Sequence, residues 1–304
     1  MAPTPADTGE LGGQWTLRED ESELVAGKRG PTRLGFALLL TFHTRHGYFP
    51  RDRSELPDTA VQSIARQVQV PPAALHSYKW TGRTIEYHRA QIREHRGFRE
   101  CTVADARELT AYLSEHVAHR ERQPEQVQAH LLAWCRARNI EPPAPRRRER
   151  IVKSALHAAE TSLARRITSR LTKETIGKIV SLTARNDGPP TLKTIKESPR
   201  GHGVRALLTE MDRLLAIRSF GLPPDLFTGI APATLTEWRT RAETEPPSRL
   251  RTHPLPLRTT LLAALLHQRD QEITSTLTEL LASLPGHADT TTTRSAQRTG
   301  SPEE

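Results

Sequence analysis

The spacing of the apolar residues is the feature that most constrains what this chain can fold into. Apolar positions recur three and four residues apart, as at Val61, Ile64, Ala65 and Val68, which places them on one face of a helix. No run of β-branched residues alternates with period two, the pattern typical of a half-buried strand. The sequence therefore predicts an all-α, multi-helical fold.

Capping residues, glycines and prolines predict where the helices begin and end. Thr16 and Glu19 have the spacing of a capping box, and Leu34, Leu38 and Phe42 share a face of a helix that ends at Gly47. Further helices are predicted to begin near Asp58, Thr84, Thr102, Pro124 and Val204. One long basic helix is predicted over 151–167, and other helices over about 173–185, 256–268 and 270–284.

A proline-rich segment, Glu-Pro-Pro-Ala-Pro at 141–145, cannot be helical and is the best internal boundary. It predicts an N-terminal helical module over 1–140 and a second basic helical module over 146–285. Residues 286–304 are a mixture of Thr, Ser, Gly and Pro with little apolar surface to bury, so we expect a disordered tail.

The charge of the chain favours an anionic partner. Its 304 residues carry 44 Lys and Arg against 35 Asp and Glu, a net charge of +9, and the basic residues are concentrated in patches. No apolar run is long enough to span a membrane, and no secretory signal is visible. With only two cysteines, a disulfide framework is excluded and a cytoplasmic protein is expected.

Residues 61–79 have the pattern of a DNA-binding helix-turn-helix. Ala65 supplies the small residue at the helix crossing, and Pro72 suits the first turn of a second helix over 72–79. Gln69 occupies a turn position that often holds glycine. In this hypothesis Ala73, His76 and Lys79 approach base edges. The alternative is an ordinary corner between two packed helices.

Two basic stretches are candidates for contact with phosphate. Arg89, Arg93 and Arg96 form a stripe at i, i+4 and i+7, flanked by Arg83 and Arg99. A second block follows the proline-rich segment and contains Arg146, Arg147, Arg148, Arg150 and Lys153. The alternative for each stretch is a solvated helix face.

Catalytic motifs are weak. The pairs His43/His46 and His116/His119 have a spacing that could share a metal ion, but no third ligand is close in sequence, so we interpret them as surface or core histidines. The chain contains no GxxxxGK[ST], GxSxG or GxGxxG motif. We therefore expect no catalytic residues, no metal and no cofactor.

Three segments carry a resemblance to a known family. RLGFALLLTFHTRHGYFP (33–50), IARQVQV (64–70) and YKWTGRTIEYHRAQIREHRGFRE (78–100) resemble the N-terminal region of Tn-three-type replicative transposases of bacteria. A weaker resemblance extends through RRRERIV (146–152) and RLRTHPLPLRTTLLAALL (249–266).

The resemblance implies a helical region that binds the terminal inverted repeats of a transposon. The family's DDE catalytic triad belongs to a later domain, so the expected chain is a non-catalytic, DNA-binding portion of a transposase associated with the nucleoid. Its expected partners are double-stranded DNA and either a second copy or a separate catalytic part. The alternatives are a helical interaction scaffold, a repressor-like remnant and, last, an enzyme with its own activity.

Overall fold

A computed structural model describes residues 15–184, 191–197 and 204–283, and the fold of these residues is all-α, as the sequence predicts. A single pair of two-residue strands, which the sequence pattern did not indicate, joins Arg99–Glu100 to Ile140–Glu141 in parallel. The helices are α1 (Glu19–Ala26), α2 (Gly30–His46), α3 (Asp58–Gln67), α4 (Arg83–Arg96), α5 (Val103–Tyr112), α6 (Pro124–Ala137), α7 (Pro145–Thr168), α8 (Lys173–Ser181), α9 (Leu192–Lys196), α10 (Val204–Arg218), α11 (Pro232–Thr244), α12 (Pro247–Thr252) and α13 (Leu255–Ser283). Short 3-10 helices cover Arg53–Glu55 and Pro72–Ser77, a π-helical turn covers Leu113–Val117, and the strands are β1 (Arg99–Glu100) and β2 (Ile140–Glu141).

Several boundaries differ from the sequence-based prediction. Helix α1 begins at Glu19 rather than after Thr16, and its capping contact runs from the Arg18 amide to the Glu21 carboxylate at 2.9 Å. The predicted helix pair near the C-terminus is one continuous helix, α13, because no glycine or proline interrupts its apolar pattern. The predicted disordered tail lies outside the described residues. No helix of the described ranges has the length and apolar character needed to cross a membrane.

The chain forms two compact units, one ending at Leu156 and the other beginning at His157. This division lies inside α7, whereas the sequence analysis placed it at 141–145. The difference arises because Ile140, Ile151 and Val152 pack into the same apolar cluster as Leu109 of α5 and Leu131 of α6. Residues on both sides of the proline-rich segment therefore belong to the first unit.

Helix α2 is the centre of the first unit. Every residue from Leu34 to His43 is buried, so this part of α2 has no solvent face, although the sequence pattern indicated a single apolar face. A helix that is apolar on all sides must be surrounded by other elements. Here α2 contacts α1, α3, α4 and the 3-10 helix Pro72–Ser77.

Gly35 is the point of closest approach on α2. Its backbone lies directly against the ring of Tyr78, and a Cβ atom at this position would overlap that ring. The Tyr78 hydroxyl lies 2.9 Å from Nδ1 of His88 on α4. Burial raises the pKa of Tyr78 and lowers the pKa of His88 to about 4, so near neutral pH this hydrogen bond joins a neutral phenol to a neutral imidazole. Gly35 therefore allows one tyrosine to join α2 to α4.

Three histidines lie in or beside this core: His43, His46 and His88. Burial disfavours the protonated form of each of them. His43 is 1% exposed, neither of its ring nitrogens has a hydrogen-bond partner among the described residues, and its ring packs against Phe49 and Phe98. Burial, with smaller contributions from Arg96 and Arg93, lowers its pKa to about 4. Burial and the neighbouring Arg45 lower the pKa of His46 to about 4 as well.

The second unit is organised around α13. Residues Leu261 to Leu266 of this helix are all buried, and α13 packs against α8, α10 and α11. Trp238 of α11 is fully buried in the same apolar cluster. A helix buried over two successive turns again requires neighbours on all sides.

We predict that Gly35→Ala destabilises the first unit. Helix propensity alone would favour alanine by about 1 kcal/mol, but the overlap with Tyr78 reverses the sign, and the free energy of unfolding should fall by roughly 1–3 kcal/mol. The matched control is Gly177→Ala in α8, where an added Cβ meets nothing within 4 Å. Urea unfolding followed by circular dichroism measures both variants, and a stabilised Gly35→Ala protein would contradict the close approach.

We predict that the protein loses stability as the pH falls from about 6.5 to about 4. In this window the unfolded chain protonates His43, His46 and His88 while the folded chain leaves them neutral. The free energy of unfolding should therefore decrease by up to about 1.4 kcal/mol per pH unit for each histidine. Denaturant unfolding at several pH values measures the slope. His43→Leu should reduce that slope by about one proton, whereas His130→Leu, which removes an exposed ring, should leave it unchanged.

Candidate nucleic-acid interface

Arg93, at the centre of the predicted arginine stripe, is held by two carboxylates. Its guanidinium lies 2.7 Å from Glu100 of β1 and 2.8 Å from Glu141 of β2, and its side chain is only 14% exposed. Burial raises the pKa of Glu141, and the hydrogen bond from Arg93 opposes that increase. Arg93 therefore joins the end of α4 to both strands.

The arginines on either side of Arg93 also have protein partners. Arg89 donates to the Pro50 carbonyl at 3.2 Å, and its guanidinium lies over the Phe49 ring. Arg99 forms two hydrogen bonds, of 2.6 and 2.7 Å, with Asp105, and these bonds hold the pKa of Asp105 well below its usual range. Arg96 is half-buried beside His43. Phosphate contact by these residues stays a prediction, and the structure assigns most of their guanidinium groups to structural contacts.

The predicted helix-turn-helix has the expected core but a short second element. Its apolar positions are all buried: Ile64, Ala65, Val68, Val70, Leu75 and Tyr78. Gln69 has φ 56°, so the turn does hold a non-glycine residue in the left-handed region. The second element is the 3-10 helix Pro72–Ser77 rather than an α-helix through residue 79.

The three residues proposed to read bases lie on the outside of this corner. Ala73, His76 and Lys79 are exposed, although Lys79 lies beyond the end of the 3-10 helix. His76 Nδ1 is 3.0 Å from the Ala73 carbonyl, which leaves Nε2 as its outward-facing nitrogen. Base contact by these residues is therefore sterically open and stays a prediction.

The second basic block begins α7 and is the more accessible of the two. Arg146, Arg150 and Lys153 are exposed at i, i+4 and i+7, and among the described residues none of them forms an ion pair. Their spacing places them on one face of the helix, opposite the buried Ala155. Arg83, at the start of α4, is also exposed. These side chains are free to contact an anionic partner.

The two other arginines of this block point elsewhere. Arg147 donates to the Thr102 carbonyl at 3.3 Å, and the Arg148 guanidinium lies 5.3 Å from the centre of the Tyr48 ring. The five basic residues of the block therefore have different surroundings, which their sequence spacing alone did not reveal.

Sequence reasoning did not single out the end of α2 and the loop after it as functional. Residues 42–51 alternate aromatic and basic side chains, FHTRHGYFPR, and in the structure most of them line a cleft. The alternation was the available signal, because neighbouring aromatic and arginine side chains are typical of nucleic-acid-binding surfaces. Within the described ranges, no group of three or more His, Cys, Asp or Glu residues is arranged to hold a metal ion.

Comparison with known proteins gives transposases as relatives. The chain is 29% identical over 227 residues to the transposase for transposon Tn1546 of Enterococcus faecium and 25% identical over 222 residues to that for transposon Tn501 of Pseudomonas aeruginosa. Each similarity covers 72% of this chain and 22% of the relative. The transposase for transposon Tn2501 of Escherichia coli is 24% identical over 217 residues, which are 70% of this chain and 22% of the relative. The chain thus spans about a fifth of the length of these relatives.

These findings confirm the resemblance to Tn-three-type transposases and support a transposase-related role for the chain. A family model described as a domain of unknown function, DUF4158, matches residues 2–155, about half of the chain. That match includes α1 to α6 and the first turns of α7, and with it the candidate interface. The chain therefore belongs to the DUF4158 domain family.

Proposed function

We propose that this chain binds double-stranded DNA as the DNA-recognition part of a transposase, and that its DNA is the terminal inverted repeats of a transposon. The similarity to three transposases supports the transposase part of this proposal. The net charge of +9 supports an anionic partner. In this proposal the described residues supply binding and orientation, while the chemistry of strand transfer belongs elsewhere.

The observation that carries the proposal is the exposed row Arg146, Arg150 and Lys153 on α7. Successive side chains at i, i+4 and i+7 along a helix are spaced about 5–6 Å apart, close to the distance between neighbouring phosphates of a DNA strand. Each such contact releases condensed counterions, which favours binding at low salt. No carboxylate of the described residues forms an ion pair with this row, although Glu149 lies on the same turns of α7, so its basic side chains are available to phosphate.

Phosphate contacts would position the chain but would not read sequence. In this proposal Ala73, His76 and Lys79 supply the readout, since they are exposed at the outer side of the α3 corner. Lysine can donate to guanine acceptors in the major groove, and the alanine methyl can contact the thymine methyl. Because Nδ1–H of His76 donates to the Ala73 carbonyl, its Nε2 can accept from the amino group of adenine or cytosine.

One observation favours a second candidate function, that of a helical interaction scaffold. Leu208, Met211 and Leu215 lie at i, i+3 and i+7 on α10 and are 55%, 44% and 65% exposed. Apolar side chains on one exposed helix face are typical of a surface that contacts another protein. A second copy of the chain or a separate catalytic part would suit this face, and either partner is compatible with DNA binding by the first unit.

We predict that replacing Arg146, Arg150 and Lys153 together by Ala weakens binding to specific and random duplexes alike. The slope of log affinity against log salt should become shallower by about one unit for each phosphate that the variant no longer neutralises. Fluorescence anisotropy at several salt concentrations measures this slope, with random duplex and with sequences selected from a randomised duplex library as probes.

The matched control removes the same charge elsewhere in the first unit. Arg18, Arg29 and Arg120 are exposed arginines outside the candidate interface, and their replacement by Ala should leave the slope almost unchanged. Equal effects of the two triple variants would show that net charge alone drives binding and would remove α7 from the interface.

We predict that Arg93→Ala lowers the stability of the protein rather than its binding to DNA. Because Arg93 satisfies Glu141, which is 19% exposed, its removal leaves a poorly solvated carboxylate and should lower the free energy of unfolding by about 1–3 kcal/mol. The salt dependence of DNA binding should not change as long as the protein is folded. A shallower slope of log affinity against log salt, with an unchanged free energy of unfolding, would instead show that Arg93 contacts phosphate. Thermal unfolding and anisotropy on the same preparation distinguish the two outcomes.

A further inference from the structure

A cleft of about 800 Å³ opens in the first unit beside the end of α2, the loop that follows it and the first turn of α7. The rings of Phe42, His46 and Tyr48 form one continuous wall, with centroids 4.3 to 5.7 Å apart. Residues 142–145, three of them prolines, line the cleft as well. A concave site of this volume with apolar walls is in the range of small-molecule binding sites.

The cleft carries an excess of positive charge. Four arginines line it, Arg45, Arg51, Arg89 and Arg148, against two carboxylates, Glu55 and Glu141. Glu55 already pairs with Arg51 at 3.4 Å, and Glu141 accepts from Arg93, which lies outside the lining. Within the part of the chain that the structure describes, Arg45 and Arg148 are in no ion pair.

Several hydrogen-bond donors in this lining also lack a partner. Arg45 Nη1, Arg148 Nε, Arg89 Nε and the indole nitrogen of Trp15 are buried without an acceptor among the described residues. Trp15 itself is only 2% exposed. These nitrogens are covered by protein atoms, so the other N–H groups of Arg45 and Arg148, which line the cleft, are the donors available to a ligand rich in acceptors. A phosphate has that property, and arginine matches its geometry in a bidentate manner.

The arrangement of rings and guanidinium groups also suits a flat heteroaromatic ring. The Arg45 guanidinium lies 5.3 Å from the Trp15 ring centre, and the Arg148 guanidinium lies 5.3 Å from the Tyr48 ring centre. Unstacked nucleobases bind on aromatic rings and on guanidinium planes. Tyr48 and His46 are half-buried, so their rings are partly accessible from the cleft.

We propose that this cleft binds one nucleotide of a DNA strand that is displaced from the duplex, with its phosphate held by Arg45 and Arg148 and its base stacked against Tyr48 and His46. The inference rests on the proposed DNA binding and adds a preference for unpaired nucleotides. A strand is the favoured source because Arg148 and Arg146, the first residue of the exposed row, lie in the same first turn of α7, about 3 Å apart along the helix axis. A strand contacting that row therefore passes the end of the cleft.

The experiment compares a random duplex that contains one bulged thymidine with the same duplex fully paired, by fluorescence anisotropy. The protein should bind the bulged duplex about tenfold more tightly. Tyr48→Leu and Arg45→Ala should abolish this preference without changing the affinity for paired duplex, and Tyr48→Phe, which keeps the ring, should retain it. Arg51→Ala is the matched control, since Arg51 lines the cleft but pairs with Glu55, and it should retain the preference as well.

The outcomes separate this inference from the proposed function. Equal affinity for bulged and paired duplex, with paired binding still dependent on Arg146, Arg150 and Lys153, overturns the inference alone. Absence of all duplex binding overturns both. A third arm uses free thymidine monophosphate and follows tryptophan fluorescence, because Trp15 lines the cleft. Saturable binding that requires Tyr48 and Arg45, without any preference for the bulged duplex, would assign a free nucleotide and overturn the assignment to a strand.

Discussion

The complete burial of Leu34 to His43 in α2 determines the architecture of the first unit. A helix with ten successive buried residues must be enclosed, and α1, α3, α4 and the 3-10 helix Pro72–Ser77 provide the enclosure. Gly35 makes one side of this enclosure possible, since only a residue without Cβ admits the Tyr78 ring at this distance. Tyr78 then fixes His88 and with it α4. The packing around α2 therefore positions α4, the helix that carries Arg89, Arg93 and Arg96.

The basic residues of α4 stabilise the fold at the place where the chain returns from α6. Strand β1 follows α4, strand β2 precedes α7, and the parallel pairing of two residues is too short to be stable alone. Arg93 binds one carboxylate from each strand, and Arg99 of β1 binds Asp105, which together with Thr102 caps the start of α5. An arginine stripe with the spacing of a phosphate-binding surface thus joins three segments of the unit. The contact between Arg93 and Glu141 also fixes the end of β2, and helix α7 begins shortly after it at Pro145.

The sequence predicted most of the helices and much of the core, because those depend on local periodicity. Val61, Ile64, Ala65 and Val68 of α3 are buried as their spacing predicts, and so are Leu34, Leu38 and Phe42 of α2. The partners of charged groups were not predictable, since Glu100 and Glu141 reach Arg93 through tertiary contacts over 7 and 48 residues of chain. The cleft was missed for the same reason. The proline-rich segment 141–145 predicted a domain boundary there, whereas packing of Ile140 and Ile151 into one cluster places the division between the compact units inside α7.

Three consecutive arginines at the start of α7 show how one sequence block can serve different purposes. Successive residues of a helix are rotated by about 100°, so Arg146, Arg147 and Arg148 project in three directions. Arg146 faces solvent, Arg147 donates to a carbonyl at the start of α5, and the Arg148 guanidinium lies 5.3 Å from the centre of the Tyr48 ring in the cleft. Charge count alone would treat the three as one patch. Their surroundings instead assign only Arg146 to the exposed row and only Arg148 to the cleft, so a DNA strand that contacts both must bend around the first turn of α7.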